Sequence, residues 1–231
     1  MNPMVSEILF QASVWVIPVL VAITFHEAAH GWVAHRLGDD TAFRLGRVTF
    51  NPFRHIDTFG TILLPALLLV LSGGRMMFGY AKPVPVDFSR LGHPRRDMVW
   101  VALAGPGTNL ILAVAAASAI PLAALAPDTL GQWLVYNLFN MVWINVLLAV
   151  FNMLPVPPLD GGRVAVGVLP RSLALPLARL EPYGFAIIIG GIFVLPFLGA
   201  QAGVDLNVFG TLVLVPAREI STVILALVGV Q

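Results

Sequence analysis

The sequence contains no cysteine and few charged residues. None of its 231 residues is Cys, and Asp, Glu, Lys and Arg together make up only 11%. Without cysteine there is no disulfide framework, and any metal ligands must come from His, Asp and Glu. The formal net charge of +1 gives no support to a nucleic-acid partner, and we expect none. Soluble domains carry about 25% charged residues, so a composition this poor in charge argues against an ordinary soluble domain.

Long apolar stretches take the place of the missing charge. Hydrophobic residues make up 58% of the chain, and the mean hydropathy is +0.88. An apolar helix of about 20 residues spans the hydrocarbon core of a bilayer. The sequence therefore predicts an all-α polytopic membrane protein with about five to six transmembrane helices, in contact with the lipid bilayer. The predicted spans cover residues 8–37, 98–125, 131–153, 183–199 and 206–230. We expect no removable signal peptide, so the first stretch remains in the protein.

The first apolar stretch contains the motif His26-Glu27-Ala28-Ala29-His30. On an α-helix, residues four apart lie about 40° apart around the axis and about 6 Å apart along it, so both imidazoles can reach one zinc ion. Glu27 lies beside them, where it can accept a proton from water activated by the metal. Ionisable groups within a membrane span cost about 2.5 to 3.5 kcal/mol each on insertion scales. Three such groups together predict a functional metal site.

A catalytic zinc usually has three protein ligands, so the motif requires a third. The candidates are Asp160, His35, His55, His93 and a few loop carboxylates. His35 is nine residues after His26, about 180° around the helix, and faces away. Asp160 follows Pro155, Pro157 and Pro158 at the end of an apolar helix, where an irregular backbone lets a carboxylate turn toward an ion. Asp160 could instead be a capping or turn residue before Gly161-Gly162. Because His26 and His30 lie in the same membrane domain, we favour Asp160 as the third metal ligand.

Residues 58–72 are apolar but short and contain Pro65, which suits a re-entrant segment as well as a span. If Asp160 is to meet His26, the first helix and the helix at 131–153 must run in the same direction. Only one full crossing, the helix at 98–125, can then lie between them, so we expect residues 58–72 to enter the membrane and return. Every Lys and Arg except Arg218 then falls on one side, which the positive-inside rule makes cytoplasmic. A spanning 58–72 would divide them between both faces. We expect Arg218 to pair with Glu219 or to extend toward the interface.

Three motifs resemble the site-2 protease family of intramembrane zinc metalloproteases. They are Phe25 to Gly31, Ala104-Gly105-Pro106-Gly107-Thr108-Asn109, and Asn152 through Leu159-Asp160-Gly161. The resemblance implies that His26, His30 and Asp160 bind one Zn²⁺ and that Glu27 is the general base. It implies that Asn152 steadies the oxyanion or the substrate backbone. Asn109 matches a position in the family core, not a catalytic one.

The resemblance also implies a function and a domain organisation. The expected activity is hydrolysis of peptide bonds in or near transmembrane segments of membrane-protein substrates, in the cell membrane of a prokaryote, with the site opening toward the cytoplasm. We expect a single domain over 1–231, with a catalytic core at about 8–165 and C-terminal helices at about 183–230. Many relatives carry a PDZ or a paired cystathionine-synthase-type domain, and we expect neither here.

Residues 81–86 read as an extended strand or edge, since two prolines disfavour a helix. The family places this segment near the active site, so Lys82, Pro83 and Val84 are candidates to pair with an unwound substrate strand. A proline-rich loop packed on the lipid headgroups is the alternative. For the whole chain, the alternatives are a catalytically inactive membrane scaffold and a metal or ion transporter. The sequence leaves the oligomeric state, the substrate and its cleavage site open.

Overall fold

The structure is a computed structural model that describes residues 3–71 and 79–230. Within these residues the chain is helical and contains no β-strand, as predicted for an all-α membrane protein. The α-helices are α1 (Pro3–Arg36), α2 (Thr41–Arg44), α3 (Leu64–Leu71), α4 (Pro94–Ala123), α5 (Asp128–Asn152), α6 (Asp160–Val168), α7 (Arg171–Ala178), α8 (Gly184–Ile189), α9 (Leu195–Ala202) and α10 (Val215–Leu227).

Five helical segments are long and apolar enough to cross a membrane. Among the described residues they are Val5–Arg36, Pro94–Ala123, Asp128–Asn152, Arg171–Ala202 and Gly210–Leu227. The second begins four residues earlier than predicted, at a proline in the first helical position, where no N–H is required. The Asp97 carboxylate closes that end by accepting the His93 N–H at 2.7 Å. The predicted class of polytopic membrane protein is confirmed.

Helices α1, α4 and α5 form the bundle that positions the site. In the first half of α1, the Val14 carbonyl accepts from Asn140 Nδ2, at the middle of α5, at 2.9 Å. Further along both helices, α1 reaches Asp160, eight residues past the end of α5, where His26 Nε2 lies 3.2 Å from Asp160 Oδ2. Helices α1 and α5 therefore run in the same direction, with α4 as the one long crossing between them, as the sequence predicted.

Small side chains let these helices approach closely. A buried cluster joins Ala113, Ala116 and Ala117 of α4 to Val142 and Val146 of α5, and Ala217 and Ile224 of α10 complete it. Without a hydrophobic driving force between helices in lipid, association depends on this close packing and on hydrogen bonds between helices. The alanine-rich sequence of α4 is therefore a packing surface.

The segment predicted to enter the membrane and return is helical but short. A π-helical stretch, Thr58–Leu63, continues into α3, and their six and eight residues extend only about 21 Å, less than the roughly 30 Å of hydrocarbon. The Tyr80 N–H then donates to the Gly60 carbonyl at 3.0 Å, and Thr61 Oγ1 donates to the Tyr80 carbonyl at 2.9 Å. The chain at Tyr80 is therefore back beside the start of the segment, which is the arrangement that a re-entrant segment requires. Arg75, which the charge argument also used, lies outside the described residues.

The predicted strand at 81–86 is absent, although the segment is not helical either. Pro83 and Pro85 have no N–H to donate, so the segment is a poor partner for a ladder. Its polar groups bond instead to side chains and loops. Lys82 N–H donates to the His55 carbonyl at 2.9 Å, and Arg47 Nη2 donates to the Lys82 carbonyl at 2.8 Å. We refer to residues 79–87 as the active-site strip.

Candidate metal centre and active site

His26, His30 and Asp160 bring three ligand atoms together in the bundle. The two imidazole Nε2 atoms lie 3.0 Å apart, and Asp160 Oδ2 lies 3.2 Å from one and 3.3 Å from the other. All three side chains are buried. Helix α1 supplies both histidines from adjacent turns, and the irregular backbone after α5 brings Asp160 to them at the start of α6.

The distances between these atoms match a tetrahedral zinc site. Ligand atoms bonded at about 2.0 to 2.1 Å in tetrahedral geometry lie about 3.3 to 3.4 Å apart. The chemistry of the three atoms agrees with the distances. Each histidine directs its Nδ1 at a carbonyl oxygen, which places the ring proton on Nδ1 and leaves Nε2 with a lone pair. Buried Asp160 Oδ2 has no hydrogen-bond donor. Three buried acceptors that converge without a proton form a site suited to a cation.

Two carbonyl groups fix the orientation of the histidine rings. His26 Nδ1 donates to Asn109 Oδ1 at 2.6 Å, and His30 Nδ1 donates to the Val101 carbonyl at 2.7 Å. Asn109 is itself held, because its Nδ2 donates to Asn145 Oδ1 at 2.7 Å and to the Ala22 carbonyl at 3.2 Å. Partners of this kind set the tautomer and direction of metal-binding histidines. Asn109, which the sequence assigned to a core position, thus contacts the His-His-Asp cluster directly.

Gly105 is required for α4 to pass the cluster. A Cβ atom at this position would collide with His30 Nε2 and would come within 2.6 Å of His26 Nε2. At Gly107, two residues further along the same helix, an added Cβ would meet nothing within 4 Å. The absence of a side chain at Gly105 therefore keeps space for an ion between the rings.

Glu27 lies beside the cluster and is held by the active-site strip. Its Oε2 accepts the Val84 N–H at 2.7 Å, across 57 residues of sequence. The side chain is half-buried and lines the same cavity as the three ligand residues. The sequence placed Glu27 at the metal site, but it gave no indication of this backbone partner.

The cluster opens into a cavity of about 390 Å³. Asn152 lies in its wall, and its Nδ2 donates to the Leu148 carbonyl at 3.0 Å. Apolar residues form most of the remaining wall. The lining residues are Ile23, His26, Glu27, His30, Gly79, Tyr80, Ala81, Pro83, Leu148, Phe151, Asn152, Pro158, Leu159, Asp160, Arg163, Phe185 and Ile188.

The three candidate substrate-binding residues have different surroundings. Pro83 lines the cavity, whereas Lys82 and Val84 do not. The Val84 side chain is buried, and an added Cβ on Gly31 of α1 would lie 3.1 Å from Val84 Cγ1. Arg47 Nη2 donates to the carbonyls of Lys82 and Pro83 at 2.8 and 3.3 Å. Much of the polar backbone of the active-site strip therefore has partners within the chain.

The other candidate ligands lie away from the cluster. The His35 ring stacks on Phe43 with centroids 4.5 Å apart. His55 is buried with its Nε2 at 3.0 Å from the Thr49 carbonyl, and His93 immediately precedes α4. In the described part of the chain, His26, His30 and Asp160 are the one group of three ligand residues close enough to hold a metal ion.

Fold and site together define a polytopic membrane protein with a buried His-His-Asp cluster and an adjacent glutamate. The family model described as Peptidase family M50 matches residues 14–127 and 117–195. The chain belongs to this family, the site-2 proteases, as the three sequence motifs predicted.

Similar proteins carry names that agree with this family. The chain is 39% identical over 182 residues to "Putative zinc metalloprotease YwhC" of Bacillus subtilis, covering 75% of this chain and 77% of that protein. It is 28% identical over 170 residues to the similarly named Rip2 of Mycolicibacterium smegmatis, covering 74% and 62%. It is 31% identical over 140 residues to MJ0611 of Methanocaldococcus jannaschii, also named a zinc metalloprotease, covering 61% and 62%. No solved structure is significantly similar to the chain.

Proposed function

We propose that this protein is an intramembrane zinc metalloprotease that hydrolyses peptide bonds in or near the transmembrane segments of membrane-protein substrates. The observation that carries the proposal is the convergence of His26, His30 and Asp160 beside Glu27, at one cavity, within a bundle of apolar helices. Membership of a peptidase family and the names of the relatives support the same reaction.

In this proposal His26, His30 and Asp160 hold one zinc ion per chain. A zinc ion bound at such a site would act as a Lewis acid and would lower the pKa of its bound water to about 7. Glu27 is the general base, which takes a proton from the attacking water and returns it to the leaving amine. The Val84 N–H holds the Glu27 carboxylate in the cavity wall, where water and the scissile carbonyl have to meet.

Asn152 is the proposed donor to the oxyanion or to the substrate backbone. Its amide group lies in the cavity wall, on the last turn of α5 and eight residues before Asp160. One of its N–H groups donates to the Leu148 carbonyl, and an amide nitrogen carries two. Asn152 therefore keeps a second donor for the charge that develops during peptide hydrolysis.

The substrate has to unwind before it is cleaved, because the peptide groups of a helix are shielded by their own hydrogen bonds. We infer that the unwound piece lies along the active-site strip, with Pro83 at the cavity wall. The carbonyls of Lys82 and Pro83 accept from Arg47, and Val84 does not line the cavity. Pro83 is therefore the candidate that we place in contact with the substrate, while Val84 acts through its N–H to Glu27. Lys82 then contributes to this contact by holding the strip in place.

We infer that the enzyme lies in the cell membrane of a prokaryote and opens toward the cytoplasm. Arg47, Arg54, Lys82, Arg90 and Arg95 all lie in the loops around the re-entrant segment and the start of α4. Basic loops face the cytoplasm under the positive-inside rule. The relatives come from bacteria and an archaeon, which supports a prokaryotic membrane.

The test is cleavage by the purified full chain in lipid vesicles that also contain a single-span membrane protein. We expect cleavage that a chelator abolishes and added zinc restores, with the cut mapped by mass spectrometry to the span or its immediate flank. Zinc binding without cleavage of any single-span protein would favour the inactive scaffold. Metal flux into the vesicles without cleavage would favour the transporter.

A further inference from the structure

Two opposite charges lie unpaired in the middle of the last apolar segment. Arg218 and Glu219 are the ninth and tenth residues of the segment Gly210–Leu227, and both are exposed. The expected pairing between them is absent. Neither side chain forms an ion pair or a side-chain hydrogen bond in the described part of the chain. Charged side chains within a span are costly and ordinarily have a partner, so these two require one.

The depth of Arg218 and Glu219 in the membrane follows from the position of their neighbour Ala217. Ala217 is fully buried and belongs to the cluster that contains Ala113 of α4 and Val142 of α5. Ala113 is ten residues before the end of α4, and Val142 is ten residues before the end of α5, about 15 Å from those ends. The cluster therefore lies in the interior of both spans, and Arg218 and Glu219 lie at the same depth on the outer side of α10.

The outer face of α10 has the layout of a helix–helix contact. Ala217, Ser221 and Ile224 are buried and face the bundle. At about 100° per residue, Val215, Thr222 and Ala226 fall on the opposite face, and all three are exposed. Arg218 and Glu219 flank this outer face, about 60° and about 40° from its centre. Thr222 and Ala226 are small residues four apart, a spacing that lets two membrane helices pack closely.

We propose that this face binds the same face of a second copy of the chain, in a twofold-symmetric dimer. Copies inserted in one membrane share an orientation, so the twofold axis is perpendicular to the membrane and the two α10 helices are parallel. Rotation about this axis places Arg218 of each copy opposite Glu219 of the other, at nearly equal depth. Two ion pairs then replace four unpaired charges. The adjacent Arg218 and Glu219 of one copy are therefore complementary in charge to the same two residues of a second copy. This self-complementarity identifies a second copy as the binding partner.

The experiment uses two differently tagged full-length copies, co-expressed and purified in mild detergent through one tag. Wild-type copies are expected to co-purify. Arg218→Glu in both copies places two carboxylates opposite each other at both contacts, and Glu219→Arg in both copies places two guanidinium groups there. Each should lower co-purification at least about tenfold, because like charges buried together disfavour association. One Arg218→Glu copy with one Glu219→Arg copy restores both ion pairs and should co-purify like wild type.

The restored mixture distinguishes a lost contact from a damaged fold, since each copy in it carries the same substitution that fails alone. Wild-type copies that do not co-purify would overturn the proposal. Unchanged co-purification of both matched single variants would overturn it as well, as would a mixture that is no better than either variant alone. The outcome does not depend on protease activity, because the readout is association.

Discussion

The backbone N–H of Val84 donates to Oε2 of Glu27 at 2.7 Å. This bond joins the proposed general base on α1 to a strip that follows the re-entrant segment, more than fifty residues later. A hydrogen bond to a charged group contributes about 1.5 to 3 kcal/mol. The strip whose proline forms part of the cavity wall therefore also orients the carboxylate that we propose as the general base.

Val84→Pro removes this N–H, whereas Val84→Ala keeps it and removes only part of the buried side chain. Pro83 and Pro85 flank the position, so an added proline suits the local backbone. We expect Val84→Pro to lower kcat about 10- to 100-fold with zinc content unchanged, and Val84→Ala to stay within a few fold of wild type. Steady-state cleavage of a single-span substrate measures both. Equal kcat in the two variants would show that the bond does not position Glu27.

Gly105→Ala should prevent metal binding, because the added Cβ occupies the space between the two imidazoles. Gly107→Ala is the matched control, since its Cβ meets nothing within 4 Å on the same helix. We expect Gly105→Ala to lower bound zinc at least about tenfold. Gly107→Ala should bind zinc as wild type does and unfold at the same or a higher temperature, because Ala favours a helix over Gly by about 1 kcal/mol. Normal zinc content in Gly105→Ala would place the ion elsewhere.

Asn109→Ala removes the acceptor that fixes the tautomer of His26. Loss of such a partner weakens metal binding about 10- to 100-fold, and a zinc titration with a competing chelator measures the change. Asn140→Ala is the matched control, because it also removes a part-buried amide side chain, but one that donates to the Val14 carbonyl away from the cluster. If both variants bind zinc with the same affinity, Asn109 serves packing and does not orient the ligand.

The sequence predicted the spans and the two histidine ligands because both depend on local signals. Length and hydropathy define a membrane helix, and the spacing of His26 and His30 requires them to share a face. The parallel arrangement of α1 and α5 followed from requiring Asp160 to reach them. The hydrogen bonds of Tyr80 with Gly60 and Thr61 return the chain to the start of the segment, as expected for re-entry.

The contacts that hold the site were not predictable in the same way. Asn109, Val101 and Gly105 of α4 meet the cluster across about seventy to eighty residues of sequence. No local period encodes such a contact, although an Asn and a Gly within a membrane helix are a signal that a close neighbour exists. Residues 81–86 are non-helical as predicted, but they form no β-strand, because Pro83 and Pro85 supply no N–H to a ladder. Side chains and loops bond to the remaining polar groups of the segment.

Asp39 should stabilise the loops that carry the active-site strip. It is fully buried, and it accepts the N–H groups of Thr41 at 3.0 Å and Asp87 at 2.7 Å. Burial raises the pKa of Asp39, but the hydrogen bonds from Thr41 and Asp87 and the nearby Arg90 outweigh it, so the pKa lies below its ordinary value. We expect Asp39→Ala to lower the free energy of unfolding by about 2 to 3 kcal/mol, and exposed Asp128→Asn to leave it within about 0.5 kcal/mol.

The depressed pKa also predicts a pH dependence. The Asp39 carboxylate contributes fully to the free energy of unfolding above the pKa that it has in the unfolded chain, about 3.9. This contribution is lost as the pH falls through the lower pKa of Asp39 in the folded protein. The difference in melting temperature between wild type and Asp39→Ala should therefore shrink only below about pH 4. A difference that shrinks already between pH 7 and pH 5 would contradict this assignment.

The most direct test of the account measures bound zinc and cleavage of a single-span substrate on the same purified samples of wild type, Glu27→Gln and Asp160→Ala. We predict about one zinc per chain in wild type and Glu27→Gln, clearly less in Asp160→Ala, and cleavage by wild type alone. Cleavage by Glu27→Gln at the wild-type rate would contradict its role as general base, and a wild type without bound metal would contradict the zinc protease itself.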